Sequence, residues 1–243
     1  MEAFRIYPLG DRAVTVSFGT ELTEETARSV LALRSSLEGM PIMGMEELVP
    51  SYATLTVFYD PELVRCLKPE SFPHADTVSA QITRLIRERL RDLNPSKEDG
   101  CAGLVEVPVC YEDGFAPDIG YVARHAGMGV DDVISLHLSK TYRVYMTGFV
   151  PGFPYMGEVD PRLQVPRKQE PRLRVVPGSV ALAGRQTGIY PMETPGGWQV
   201  IGCTPLRLFD AGRDPCCLLE AGMQVRFRRI GKEDFETLVN RWP

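Results

Sequence analysis

Apolar and polar positions change period several times along this chain, and each change predicts an element. Phe4–Ile6 and Ala13–Phe18, punctuated by Pro8, Gly10 and Asp11, read as two strands. After Thr23, apolar residues Ala27, Val30, Leu31 and Leu37 recur at helical spacing until Gly39, which predicts a helix. Ala53–Tyr59 is β-branched and aromatic, hence a strand. Val78, Ile82, Leu85, Ile86, Leu90 and Leu93 mark one face of a second helix, with Arg84, Arg87, Arg89 and Arg91 mostly off it as a solvated face. Strands and two helices over residues 1–95 predict a small α+β domain whose helices cover one face of a sheet.

Beyond this region the pattern becomes that of a β protein. Leu104–Val109 reads as a strand, followed by helical patches at Ile119–His125 and Asp131–Leu138. Gly127 suits the left-handed stop of the first patch. Tyr142–Met146 is another strand. From Val144 to Asp210 there are nine Gly and nine Pro in 67 residues, where average usage would place about eight of the two together. Short apolar runs such as Ser179–Ala183 and Trp198–Ile201 sit between these turn formers, which predicts a β-barrel or sandwich over residues 101–243. Asn94–Gly100, polar and rich in turn formers, is the expected boundary. Charge divides at the same place. Residues 1–100 carry 11 Lys+Arg against 16 Asp+Glu, and the remainder carries 16 of each.

Composition narrows the class. A hydrophobic share of 44% and a charged share of 24% are ordinary for globular chains and exclude disorder. No apolar run approaches the roughly 18–20 residues that span a bilayer, and MEAFRIYPLGDRAV lacks the apolar core of a signal peptide. A net charge of −5 argues against nucleic acid or an anionic membrane as partner. The cysteines, Cys66, Cys101, Cys110, Cys203, Cys216 and Cys217, form no CxxC pair, and two are adjacent. A disulfide framework or zinc site is therefore not expected, in keeping with a reducing, cytoplasmic location. With His74, His125 and His137 the only histidines, no metal site is expected.

The common catalytic signatures are absent, including the P-loop, the GxSxG elbow and HExxH. Two unusual stretches remain. Arg162, Arg167, Lys168, Arg172 and Arg174 fall within 13 residues, opposed only by Glu170 and spaced by Pro161, Pro166 and Pro171. Guanidinium groups bind carboxylate and phosphate bidentately, so this row is either an anion site or a set of surface salt bridges. If the stretch is extended, the odd spacing of Arg167 and Arg172 points them to opposite faces. The second stretch holds Gln186, Thr187 and Tyr190, then Gly196, Gly197 and Trp198. It reads either as a cleft with polar tips and aromatic walls or as a tight hairpin with Trp198 in the core.

These residues carry a family pattern. Gly148–Gly157, GFVPGFPYMG here, resembles the GFxPGFxYL segment of the PxpB/KipI family, also called allophanate hydrolase subunit 1 or carboxyltransferase subdomain C. Pro166-Arg167, Pro171-Arg172, Pro177–Val180, Gln186–Pro191, Pro195–Gln199 and Gly202–Asp210 continue it in order, as do His137 and Tyr142–Val144 upstream. The resemblance is dense over 104–230 and weaker over 1–95. Arg185 and Cys203 depart from it, standing where a small and a basic residue are expected.

The resemblance implies an α+β N-terminal domain followed by a cyclophilin-like β-barrel domain. It also implies a role as the B component of a 5-oxoprolinase, with A and C components as partners, opening 5-oxo-L-proline to L-glutamate. ATP, with or without Mg, would be a substrate of that complex, and the chain is expected to be inactive alone. A homodimer is left open. A KipI-type inhibitor of a sensor histidine kinase and a carboxyltransferase component of a urea carboxylase or allophanate system are the alternatives. Catalytic residues are not assigned. The candidate binding residues are Arg167, Arg172, Gln186, Thr187, Tyr190 and Trp198. The candidate cleft wall is His137, Phe149, Pro151, Gly152, Phe153, Tyr155, Gly196 and Gly197.

Overall fold

The computed structural model describes residues 4–21, 23–66, 77–91, 93 and 103–241. The expected boundary at 94–100, together with His74 and Cys101, lies outside the described residues. The chain divides into two compact units, Met1–Gly100 and Cys101–Pro243.

In the first unit, β1 (Arg5–Pro8), β2 (Ala13–Ser17), β3 (Met45–Pro50) and β4 (Thr54–Tyr59) form an antiparallel sheet in the order β1-β2-β4-β3. Helices α1 (Glu24–Gly39), α2 (Pro61–Arg65) and α3 (Val78–Arg91) accompany it. Thr23 starts α1 because its hydroxyl accepts the Thr26 N–H while the Thr26 hydroxyl accepts the Thr23 N–H, satisfying two amides the helix itself leaves open. Val14, Val16, Leu55, Val57 and Tyr59 from the sheet and Val30, Leu33, Leu37, Ile82 and Ile86 from the helices form one core. The sequence pattern passes over β3 because its Glu46 and Glu47 are exposed and its apolar positions never fully buried, so no clean alternation survives.

The second unit is a closed barrel. Its strands are β5 (Leu104–Cys110), β6 (Thr141–Thr147), β7 (Pro154–Gly157), β9 (Ser179–Ala183), β10 (Gln186–Ile189), β12 (Gln199–Cys203) and β13 (Gln224–Ile230), in the order β10-β7-β6-β13-β5-β12-β9. Pairing of β9 with β10 closes the ring. Among the described strands, only the β5–β13 pair is parallel. Every residue of β9 and β12 is buried, so these strands appear in sequence as apolar runs. β13 hides in the sequence for the opposite reason. Val225 and Phe227 are buried, but the exposed Arg226, Arg228 and Arg229 mask the period. Helices α4 (Ile119–Ala126), α5 (Val130–Leu138) and α6 (Lys232–Arg241) belong to this unit, and α4 packs against β12. Gly127 ends α4 with φ of 66°, a left-handed cap that disfavours a side chain. Outside the barrel, β8 (Arg172–Val175) and β11 (Thr194–Gly196) pair as a two-stranded ribbon.

Candidate functional site

A cleft of about 340 Å³ opens where the loop after β6 meets the ribbon of β8 and β11. Its centre is Phe153, buried, with ring centroids of Tyr155, Tyr190 and Trp198 at 4.7, 5.1 and 5.4 Å in tilted or edge-on arrangement. Such geometry sets the positive ring edge against the negative face and adds to simple area burial. Tyr155 and Trp198 also meet at 5.8 Å. Gly196 lets the Tyr190 ring approach the backbone, since an added Cβ would stand 2.7 Å from Tyr190 Cζ. Phe149 lies at the lip, 63% exposed, with φ of 70°. A bulky residue in the left-handed region is strained by roughly 1–2 kcal/mol, and the Phe149 ring stands at the entrance, edge-on to Phe153 at 5.9 Å. Tyr155 and Tyr190 keep their protons at neutral pH, because burial raises both phenols further.

The charge at this cleft is narrowly placed. Arg162 pairs with Asp160, Arg174 with Glu193, and Lys168 and Arg172 both with Asp118. Arg167 alone of the five has no carboxylate partner among the described residues. It lies over the Trp198 ring, 5.9 Å from the centroid, and lines the cleft. Asp118, its side chain 6% exposed, precedes α4 and gathers three segments. It accepts from Arg172 Nη1 and Nη2 at 2.6 and 2.7 Å, from Lys168 Nζ at 3.1 Å and from the Val200 N–H at 2.7 Å. Burial pushes the Asp118 carboxyl up, but these donors, Arg172 foremost, outweigh it and hold the group below the usual carboxylate range.

The cleft brings together Arg167, Tyr190, Trp198, Phe149, Phe153, Tyr155, Gly196 and Gly197 from the sequence candidates. It does not include Arg172, whose guanidinium is committed to Asp118. Gln186 and Thr187 belong to β10 rather than the cleft. Pro151 and Gly152 do not line it, and Gly152 lies so close to Phe209 that an added Cβ would fall 3.0 Å from the Phe209 Cβ. His137 is fully buried in the barrel unit. Its ring forms a neutral chain: Thr187 Oγ1 donates to the Ala181 carbonyl, so it accepts from His137 Nε2–H, which leaves Nδ1 to accept from the Tyr111 hydroxyl. Burial holds the His137 pKa down, to about 3.

Sequence reasoning missed Asp118, whose position before an apolar helical run looks like an ordinary cap. Pro171, Thr194 and Pro195, which lie in the unusual stretches but not among the candidate site residues, complete the lining. Among the described residues lining the cleft there is no carboxylate, histidine, cysteine or lysine. The site can therefore hold a flat ring by its aromatic walls and an anion by Arg167, but it offers no ordinary general base.

Residues 4–219 match the family described as carboxyltransferase domain, subdomain C and D. The B subunit of 5-oxoprolinase from Bacillus subtilis (strain 168) is 40% identical over 232 residues, 96% of this chain and 95% of the relative. The B subunit of 5-oxoprolinase from Escherichia coli O157:H7 is 38% identical over 229 residues, 93% and 96% of the two chains. Among solved structures, TTHA0988 superposes with a TM-score of 0.74 at 36% identity over 90% of this chain, which spans 40% of that longer protein. The Kluyveromyces lactis urea amidolyase shares a TM-score of 0.71 at 16% identity, covering 98% of this chain and 15% of that one, a likeness of fold alone.

Proposed function

The chain belongs to the carboxyltransferase-domain family, subdomains C and D, and we propose that within it the chain is the B component of an ATP-dependent 5-oxoprolinase. The reaction opens the lactam of 5-oxo-L-proline to L-glutamate. A lactam is a poor electrophile. Attack of its carbonyl oxygen on the γ-phosphorus of ATP expels ADP and leaves an O-phosphorylated imidate, whose carbon one water attacks. Breaking the C–N bond, with the nitrogen taking a proton, opens the ring to a γ-glutamyl phosphate, which a second water hydrolyses to L-glutamate and phosphate. The A and C components would be the partners of this chain.

The observation that carries the reading is Arg167, a cation without a carboxylate partner among the described residues, at the mouth of an aromatic cleft. In this reading its guanidinium takes the substrate carboxylate, Phe153 and Trp198 flank the ring, and the Tyr155 and Tyr190 hydroxyls serve as hydrogen-bond donors. A cleft that recognises substrate yet lacks a base fits a component of a split enzyme, in which the other components supply the missing groups. Leu173 on β8 and Val176 just after it, 86% and 58% exposed, are the apolar side chains assigned to a partner contact in this reading. The test is 5-oxoproline turnover with ATP by the purified chain, alone and with candidate A and C components. Turnover only in the mixture is expected, and robust turnover by the single chain would overturn the split-enzyme reading.

A further inference from the structure

Five cations lie between residues 162 and 174, yet the cleft sees one of them. Arg162 and Arg174 are neutralised by Asp160 and Glu193. Asp118 takes both Lys168 and Arg172, which flank Pro171 and follow Arg167 along the chain. Counting the exposed Glu170 of the same segment, the group retains a single net positive charge, and Arg167 over Trp198 is the one of the five without a carboxylate partner among the described residues. The other cleft walls are aromatic rings, prolines, glycines and one threonine. A second or third negative charge drawn into such walls would be desolvated without a counter-ion, which is strongly unfavourable.

We infer that the cleft selects a small flat ligand bearing one carboxylate, that it turns away the triphosphate of ATP, and that Asp118 sets this selectivity by engaging both cations beside Arg167 and offsetting one of their two charges. Asp118 does not line the cleft, so it is a positioning residue. It engages Lys168 and Arg172, neither of which lines the cleft, and ties that segment to β12 through the Val200 amide. ATP used by the complex is therefore held by surfaces other than this cleft. The inference rests on the oxoprolinase reading only for the identity of the monoanion.

Trp198 provides the signal, in a Trp242→Phe background that leaves it the only tryptophan. The full-length chain is titrated with 5-oxo-L-proline, with benzoate as an unrelated flat monocarboxylate, and with inorganic tripolyphosphate. The expected result is saturable quenching by 5-oxo-L-proline and weak or no response to tripolyphosphate. Arg167→Gln should weaken the monocarboxylate about ten- to a hundredfold, the range of a lost charge-assisted bond. Asp118→Asn, close in shape but uncharged, should raise tripolyphosphate affinity about tenfold while changing monocarboxylate affinity much less. A purely structural role for Asp118 would weaken every ligand together and would overturn its assignment. The wild-type comparison does not depend on that variant folding. Tripolyphosphate binding as tightly as the monocarboxylates, or no response to any of the three, would overturn the inference. Binding of benzoate without 5-oxo-L-proline would uphold the monoanion selectivity and refute the oxoprolinase reading instead.

Discussion

Acid should unfold the barrel unit through His137. The ring is stacked 4.5 Å from Phe227 and 5.4 Å from Tyr142, and both nitrogens are engaged by the neutral hydroxyls of Tyr111 and Thr187. A proton added to it would be buried without a counter-charge, which is why its pKa is depressed from 6.5 to about 3. The unfolded chain takes up this proton near pH 6.5 and the folded chain near pH 3. Stability present at neutral pH is therefore lost as pH falls between those values. At about 1.4 kcal/mol per pH unit, the loss reaches roughly 2 kcal/mol between pH 7 and pH 5 and about 5 kcal/mol below pH 3. Asp118, depressed below the ordinary carboxylate range, contributes stability that is lost only at more acid pH, so the interval from 7 to 5 reports on histidine. The assay is urea unfolding followed by tryptophan fluorescence at pH 7, 6 and 5, for the wild type and His137→Gln. The stability advantage of the wild type should shrink by roughly 2 kcal/mol across the series. A constant difference, or an NMR titration placing folded His137 near 6.5, would refute the reasoning.

Asp118→Ala leaves Lys168 and Arg172 without their counter-charge and the Val200 amide without its side-chain acceptor, so denaturation should show a loss of roughly 3–5 kcal/mol. A loss under about 1 kcal/mol would contradict the burial argument. Phe149→Gly relieves left-handed strain of roughly 1–2 kcal/mol against a glycine entropy cost of roughly 0.5–1 kcal/mol. Stability should stay nearly level or rise slightly while KM of the complex for 5-oxoproline increases; a stability loss above about 2 kcal/mol would make Phe149 a packing residue. Leu173→Glu should reduce co-purification with the partner components and leave the Tm of the isolated chain unchanged. Undiminished assembly would remove β8 from the docking surface.

Legibility in the sequence follows the physics of each element. Helix α1 is plain because Thr23, an apolar stripe and Gly39 agree. Strands β9 and β12 are plain because wholly buried strands have few polar positions to confuse the pattern. β3 and β13 escape because exposed glutamates and arginines dilute the alternation. Within the site, the aromatic residues and Arg167 stand out by their glycine and proline setting, which places backbone close to rings, as at Gly196 beside Tyr190. Which arginine faces the cleft is not readable. Arg167 and Arg172 both follow a proline, and only the reach of Asp118 across 54 residues separates their roles. His137 looks like a wall residue by motif position alone, and its burial comes from barrel closure around β10 and β13, a long-range property no local pattern encodes.

The most direct measurement of the central claim is the kcat/KM for 5-oxoproline of a complex reconstituted with Arg167→Ala in place of the wild-type chain. Losing a charge-assisted contact of roughly 1.5–3 kcal/mol should lower it about ten- to a hundredfold, with assembly intact because Arg167 bonds to no carboxylate among the described residues that would hold the fold. Full activity in a properly assembled complex would contradict the account and return the cleft to a structural feature.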